Sequence, residues 1–234
     1  MTGVDLYWIP LGAGRGGQCV RGSGRVYEAI SATRRRRRPL DLYHSALVVH
    51  LDGHAVAIEM APVWSVRVPE RGVVAEGPVG SPSLGRSRWF RYEVRRWRDG
   101  TIPDLASAVD GPRRLTTDVA TAREVLALVP SFPAATWGRD ELRTGEMWNS
   151  NSLTSWLLAR SGLDTTDLHP PEGGRAPGWQ AGLVVAGRGP SLGAPPTRGR
   201  VGSRTPGFPF RGGTTEDGVR RAQDDGDQPR PPGT

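Results

Sequence analysis

The sequence predicts an α+β fold in which an antiparallel sheet packs against helices. Two apolar, β-branched runs are separated by Asp52-Gly53, which is typical of a β-hairpin because both positions of a two-residue turn need a positive φ. Residues 87–97 alternate in polarity as a strand does, and two later stretches repeat apolar residues at helical spacing. We therefore expect one α+β domain over residues 3–187, followed by a tail over 188–234.

The first forty residues contain weaker signals. Asp5 to Pro10 is predicted to be a short strand, and the glycine-rich loop after it lacks the Gly-Lys-Ser/Thr ending of a phosphate-binding loop. Val26 to Thr33 is predicted to be a short helix. The run Arg34–Arg38 follows, and we expect a solvated loop there because like charges repel. Binding of an anionic partner through this run stays open as an alternative.

The hairpin is the clearest local structure. Its strands are predicted over Ser45–Leu51 and His54–Ala61, with Asp52 and Gly53 as the turn. Because side chains alternate between the two faces, Glu59 is expected diagonal to His44 at about 7 Å between backbone positions. The predicted register pairs Leu51 with His54, Val48 with Ala57 and Ala46 with Glu59.

The second half of the domain is predicted to supply one more strand and two helices. Ser87 to Trp97 is the strand, with Phe90, Tyr92 and Val94 facing the core. The first helix runs from Thr117 to Val129, is capped by Thr117 or Asp118 and stops at Pro130. The second runs from about Asn151 to Arg160 and ends at Gly162. The eight tryptophans are expected to line the core and the walls of a cleft.

Composition bears on the kind of partner and on the order of the C-terminal residues. The chain has 234 residues with 36% hydrophobic residues, and it carries a formal charge of +7. All 31 basic residues are arginine and the 24 acidic residues are spread along the chain, so the charge does not favour a nucleic-acid partner. Residues beyond Gly187 are rich in Gly, Pro, Arg, Ser and Thr, and a disordered tail is expected because such a segment buries too little apolar surface.

Cysteine usage and the N-terminus exclude further classes. Cys19 is the single cysteine, so neither an intramolecular disulfide nor a multi-cysteine metal site is expected. Histidines lack the helical spacing of a zinc site, and we expect no metal and no cofactor. The chain begins without a signal-peptide pattern and has no apolar run near the ~18 residues of a membrane span. We expect a soluble, cytoplasmic protein without a membrane span.

Two short motifs carry the chemistry. Asn149-Ser150-Asn151-Ser152 precedes an apolar helix, and a helix N-terminus is a favourable place for a nucleophile. His44 opens the first hairpin strand. A histidine followed later by Asn-x-Asn at a helix start resembles the circularly permuted papain-like hydrolases, which include NlpC-like, PPPDE-type and lecithin-retinol acyltransferase-like enzymes. The resemblance covers about residues 42–158. The chain also resembles a group of uncharacterised bacterial proteins that share Asn-Ser-Asn-Ser and a downstream Ala-Pro-Gly-Trp, here residues 176–179.

The resemblance implies a site built on a serine in place of the family's cysteine. Ser150 matches the nucleophile and His44 the general base, while the hairpin register suggests Glu59 as the carboxylate that orients the imidazole. Asn149, Asn151 and Ser152 are candidate oxyanion donors at the helix start. The expected substrate is an amide or ester in a peptide or an acyl-type small molecule, and the oligomeric state is left undetermined.

Two other interpretations stay open. The Asn-Ser-Asn-Ser motif is also good helix-capping chemistry, with Ser150, Asn151 or Ser152 as the cap. The same scaffold without a working nucleophile would be a binding module that holds a peptide or an acyl group. Serine lacks the thiolate population that activates cysteine, so the enzyme depends on the base.

Overall fold

The computed structural model describes residues 1–13, 33, 36, 38–65, 68 and 70–188. Several predictions therefore lie outside the described residues. They are the glycine-rich loop beyond residue 13, Cys19, nearly all of the helix over 26–33, three of the five arginines in the 34–38 run, and the tail from residue 189 onward.

The described residues form a sheet of seven strands with antiparallel neighbours, in the spatial order β4-β5-β3-β2-β1-β6; β7 pairs with β2 in parallel. Three α-helices follow in the second half of the described chain. The strands are β1 Gly3–Pro10, β2 Asp41–Leu51, β3 His54–Pro62, β4 Val73–Pro78, β5 Arg91–Arg98, β6 Val109–Thr116 and β7 Gly174–Arg175. The helices are α1 Val119–Leu128, α2 Ser150–Arg160 and α3 Trp179–Gly187. The predicted α+β class with an antiparallel sheet is confirmed.

The hairpin forms as predicted over most of its length. Asp52 and Gly53 both have a positive φ, 50° and 81°, as a two-residue hairpin turn requires. Leu51 pairs with His54 and Val48 with Ala57, in the predicted register. The ladder ends at Leu47 and Ile58, so the predicted pairing of Ala46 with Glu59 lies beyond its last pair.

Side-chain alternation gives the sheet two different faces. The helix face carries Leu47 and Val49, which share the larger core with the three helices. The opposite face carries Ala46 and Ala57, which form a smaller core with Ile9 and Ile102. Tyr43 and Ser45 alternate onto the helix face, whereas His44 alternates onto the opposite face.

Some boundaries and orientations differ from the prediction. Residues 88–90 form a 3-10 turn instead of the start of β5, and Phe90 is exposed while Tyr92 and Val94 are buried. Val119, the first residue of α1, is exposed. Asp118 caps that helix as predicted and accepts from the Thr121 N–H at 2.7 Å. No helix in the described part of the chain is long and apolar enough to cross a membrane.

Candidate functional site

Asn149 is the cap of α2. Its Oδ1 accepts from the N–H groups of Asn151 at 2.9 Å and Ser152 at 3.4 Å. The Ser152 hydroxyl in turn accepts from the Asn149 N–H at 3.1 Å, which completes a capping box. The motif therefore does cap the helix, but the capping residue is Asn149, one position before the candidates Ser150, Asn151 and Ser152.

Asn151 attaches the start of α2 to β2. Its Oδ1 accepts from the Ser45 N–H at 2.7 Å and the Ser45 hydroxyl at 2.9 Å, and its Nδ2 donates to the Tyr43 carbonyl at 3.0 Å. The β2–β3 ladder has already ended at Leu47. The Asn151 amide therefore bonds to backbone groups of β2 that a neighbouring strand would otherwise pair. These two contacts lie on either side of the His44 backbone.

The Ala-Pro-Gly-Trp segment is bonded to the same helix start. Gly178 needs its left-handed φ of 86°, and an added Cβ there would lie 2.4 Å from the Asn149 Oδ1. Four side chains of the α2 start donate to backbone carbonyls of this segment: Asn149 to Pro177 at 2.8 Å, Asn151 to Pro177 at 2.9 Å, Ser152 to Gly178 at 2.8 Å and Ser155 to Trp179 at 2.7 Å. The two motifs noted separately in the sequence thus form one junction, which we call the α2 junction.

The α2 junction corrects the role expected of three site residues. Asn149, Asn151 and Ser152 are buried, and both the amides and the Ser152 hydroxyl are committed to the protein's own backbone. A donor that is already bonded in this way is not directed at a substrate oxygen. Their side chains position the helix start and do not supply the expected oxyanion donors.

Ser150 differs from these neighbours. It is the first residue of α2 and is only half-buried. Within the described part of the chain, its hydroxyl makes no hydrogen bond, and its backbone N–H has no partner either. Its carbonyl accepts from the Thr154 hydroxyl at 3.3 Å. The helix N-terminus, held by its bonds to β2 and to Pro177–Trp179, thus presents one hydroxyl and one N–H that have no partner among the described residues.

His44 lies close to this helix start in the backbone, but its ring takes the other face of β2. It pairs with Ile9 across the β1–β2 ladder and is half-buried. Burial lowers the pKa of His44 to about 4, and the negative charge of Asp104 opposes that shift. No hydrogen bond joins the His44 ring to Ser150 in the described structure, so a working nucleophile–base pair needs the two side chains to approach each other.

Glu59 does not orient His44 as the register suggested. Its Oε1 accepts from Arg95 Nη1 at 2.8 Å, and Arg95 is fully buried. Arg95 also donates to Glu93 at 3.0 Å and to the Ser65 hydroxyl at 3.1 Å. Burial raises the pKa of Glu59, and this effect outweighs the stabilising hydrogen bond from Arg95. The proposed triad is corrected here: Glu59 shares a sheet face with His44, but its carboxylate is bonded to Arg95 in an ionic cluster.

The sequence did not indicate the role of Asp104 or the contact between Pro177–Trp179 and α2. Asp104 is the carboxylate whose charge acts on His44, and it directly precedes a short 3-10 turn at Leu105–Ser107. Ile102, two residues before Asp104, packs in the smaller core. An isolated apolar residue in this irregular segment was therefore the one sequence signal that the segment around Asp104 packs against the sheet. The Pro177–Trp179 segment contributes backbone carbonyls, and the sequence does not indicate which side chains bond to a backbone carbonyl. Only the chain's path through space brings these carbonyls to α2.

The chain matches no protein-family model, no curated protein and no solved structure. The resemblance to permuted papain-like hydrolases therefore stays a prediction that depends on the two sequence motifs.

Proposed function

We propose that this protein is a hydrolase or acyltransferase that cleaves an amide or ester bond with Ser150 as nucleophile. The observation that carries the proposal is the contrast within one helix start. The polar side chains of Asn149, Asn151 and Ser152 are bonded into the protein, while the Ser150 hydroxyl is left without a partner among the described residues. Such pre-organisation of a single unbonded hydroxyl favours attack on a bound carbonyl.

In this mechanism the His44 ring first comes within hydrogen-bond reach of the Ser150 hydroxyl. The Ser150 Oγ then attacks the carbonyl carbon of the substrate, and the His44 imidazole accepts its proton. The backbone N–H of Ser150, which has no partner in the described part of the chain, lies at the positive end of the α2 dipole and stabilises the oxyanion. His44 then donates the proton to the leaving amine or alcohol, and water or a second acceptor releases the acyl group. His44 is neutral at physiological pH, as a base must be, and Asp104 stabilises its protonated form.

The rival proposal is a binding module on the same scaffold. A specific observation favours it: burial gives His44 a pKa of about 4, which makes it a weak base near neutral pH, and its ring is not bonded to Ser150. A module of this kind would hold a peptide or an acyl group without turning it over.

The test is covalent labelling combined with turnover. The full chain is incubated with an alkyl fluorophosphonate and with p-nitrophenyl acyl esters of increasing chain length, and the modified residue is mapped by mass spectrometry. We expect labelling at Ser150 and ester cleavage that Ser150→Ala and His44→Ala each reduce by at least about a hundredfold. Ser161→Ala, at the other end of α2, is the matched control and should react like the parent.

The Ser150→Cys variant sharpens the result. A thiol at this helix start should have a depressed pKa, alkylate faster than Cys19 and raise ester turnover. If neither the parent nor Ser150→Cys shows labelling or turnover, while the variants stay folded, the enzyme is excluded. Saturable binding of the acyl compounds under those conditions would establish the binding module instead.

A further inference from the structure

The loop between β4 and β5 exposes an unusual set of side chains. Leu84 is 43% exposed, Phe90 44% and Trp89 64%, which makes Trp89 the most exposed of the eight tryptophans. This corrects the expectation that the tryptophans line the core and a cleft. Large apolar side chains gathered in one short exposed segment typically mark an interaction surface.

The loop is well ordered in spite of its exposure. Two 3-10 turns, Pro82–Arg86 and Arg88–Phe90, follow each other directly. Their ends are held together by the hydrogen bond from the Val79 N–H to the Phe90 carbonyl at 2.8 Å. Three successive turn bonds hold the interior: Leu84 N–H to Ser81, Ser87 N–H to Leu84 and Phe90 N–H to Ser87, at 2.9 to 3.1 Å. The apolar side chains are thus presented by a preformed backbone, which lowers the entropic cost of binding.

The charge of the loop has a single sign. Arg86 and Arg88 are exposed, and neither has an ion-pair partner among the residues that the structure describes. No acidic residue occurs between Glu76 and Glu93. Glu76 is paired with Arg91, and Glu93 is fully buried. The loop itself therefore carries only positive charge, while Asp140 and Glu141 lie beside Pro82 at its start. The two exposed arginines next to the exposed rings are complementary to an anionic partner.

We propose that residues 81–90 form a docking loop for an anionic lipid bilayer, with Leu84, Trp89 and Phe90 entering the headgroup–acyl boundary and the two arginines contacting lipid phosphates. Tryptophan is the residue that prefers this boundary, and flanking arginines add attraction to acidic headgroups. Leu84 favours lipid over single-stranded nucleic acid, because an aliphatic side chain has no ring on which a base stacks. The proposal does not depend on the proposed function.

The test is sedimentation of the full chain with large vesicles of phosphatidylcholine, with and without phosphatidylserine. We expect binding to the vesicles that contain phosphatidylserine and a loss of affinity with added salt. Trp89→Ala should weaken binding about tenfold through lost apolar burial. The double variant Arg86→Gln with Arg88→Gln should weaken it about thirtyfold, since each basic residue near an anionic surface contributes about 1 kcal/mol.

Matched controls come from α1. Val119→Ala removes a valine that is 40% exposed, and Arg123→Gln removes an exposed arginine, so both should bind vesicles like the parent. Vesicle binding that is absent in the parent, or that the loop variants leave unchanged, overturns the proposal. Loop-dependent binding of a single-stranded oligonucleotide without vesicle binding, or loop-dependent dimerisation in gel filtration, assigns the surface to a different partner and also overturns it.

Discussion

The two faces of the sheet bury polar groups by different means. On the helix face, neutral amides and hydroxyls of the α2 junction bond to backbone carbonyls and N–H groups. On the opposite face, Arg95 and Glu93 are fully buried charges that bond to each other and to Glu59 and Arg71. Both arrangements satisfy buried polar atoms, as folded proteins require.

The difference determines what each face responds to. Neutral side-chain-to-backbone bonds do not depend on the protonation of a side chain, so these bonds hold the start of α2, and Ser150 with it, in one place. An ionic cluster depends on every partner, because one missing charge leaves another uncompensated in a medium of low polarity. The ionic cluster therefore binds the Glu59 carboxylate to Arg95, and the opposite face should be the more sensitive of the two to substitution.

The largest effect is expected from Glu93→Gln. Hydrogen bonds from Arg71 and Arg95 outweigh burial and hold the pKa of Glu93 below its usual value, so the carboxylate is charged in the folded protein. Removing that charge leaves Glu59 as the one carboxylate bonded to Arg95 among the described residues, and the free energy of unfolding should fall by about 4 kcal/mol. Urea unfolding followed by tryptophan fluorescence measures this change.

Glu76→Gln is the matched control for that variant. Glu76 also pairs with an arginine, Arg91, but both side chains are exposed, so the loss should stay below about 1 kcal/mol. Equal losses in the two variants would contradict the argument that burial makes the cluster sensitive.

On the helix face, Asn151→Ala should lower the free energy of unfolding by about 3 kcal/mol. It removes bonds to Ser45, Tyr43 and Pro177 and leaves the Ser45 N–H buried without a partner. Hydrogen exchange at Ser45 and along the start of α2 should accelerate together, because a single side chain joins them. Exchange that accelerates only in α2 would show that Asn151 does not hold the strand.

His44 makes the stability of the protein depend on acid. Its folded pKa of about 4 lies below the unfolded value of 6.5, so the unfolded chain takes up the proton first as the pH falls. The free energy of unfolding is unaffected by this group above pH 6.5 and declines as the pH falls toward 4, by about 2 kcal/mol at pH 5. The difference in stability between the parent and His44→Gln, measured from pH 7 to pH 4.5, isolates this contribution. A difference that does not vary with pH would contradict it.

The smallest effect is expected at Ser150. Its hydroxyl makes no hydrogen bond among the described residues, so Ser150→Ala should change the free energy of unfolding by less than about 0.5 kcal/mol. Ser152→Ala, two residues along, removes a buried hydroxyl that bonds to Gly178 and Asn149 and should cost about 2 kcal/mol. A loss at Ser150 as large as that at Ser152 would mean that Ser150 is a structural residue too.

The sequence predicted the features that depend on the conformational preferences of a few adjacent residues. The Asp52-Gly53 turn, the Asp118 cap and the end of α2 at Gly162 each depend on the conformational preference of a few adjacent residues, and all three occur. Phe90 was placed in the core by alternation alone. The 3-10 turn at Arg88–Phe90 interrupts that alternation, so the residue is exposed. The edge strands β4 and β6 were missed because glycine and proline interrupt them, and these residues are poor strand signals.

The sequence by itself determined the α+β class, the hairpin register near its turn and the helix start that carries Ser150, because periodicity, turn residues and caps act over a few positions. Tertiary structure alone decided which polar groups meet. Glu59 shares a sheet face with His44, but a neighbouring strand places the buried Arg95 beside it, and a cation in that position attracts a carboxylate more strongly than a neutral imidazole does. Likewise, only the meeting of the α2 start with β2 and with Pro177–Trp179 bonds Asn149, Asn151 and Ser152 into the protein. The Ser150 hydroxyl is left without a hydrogen bond among the described residues.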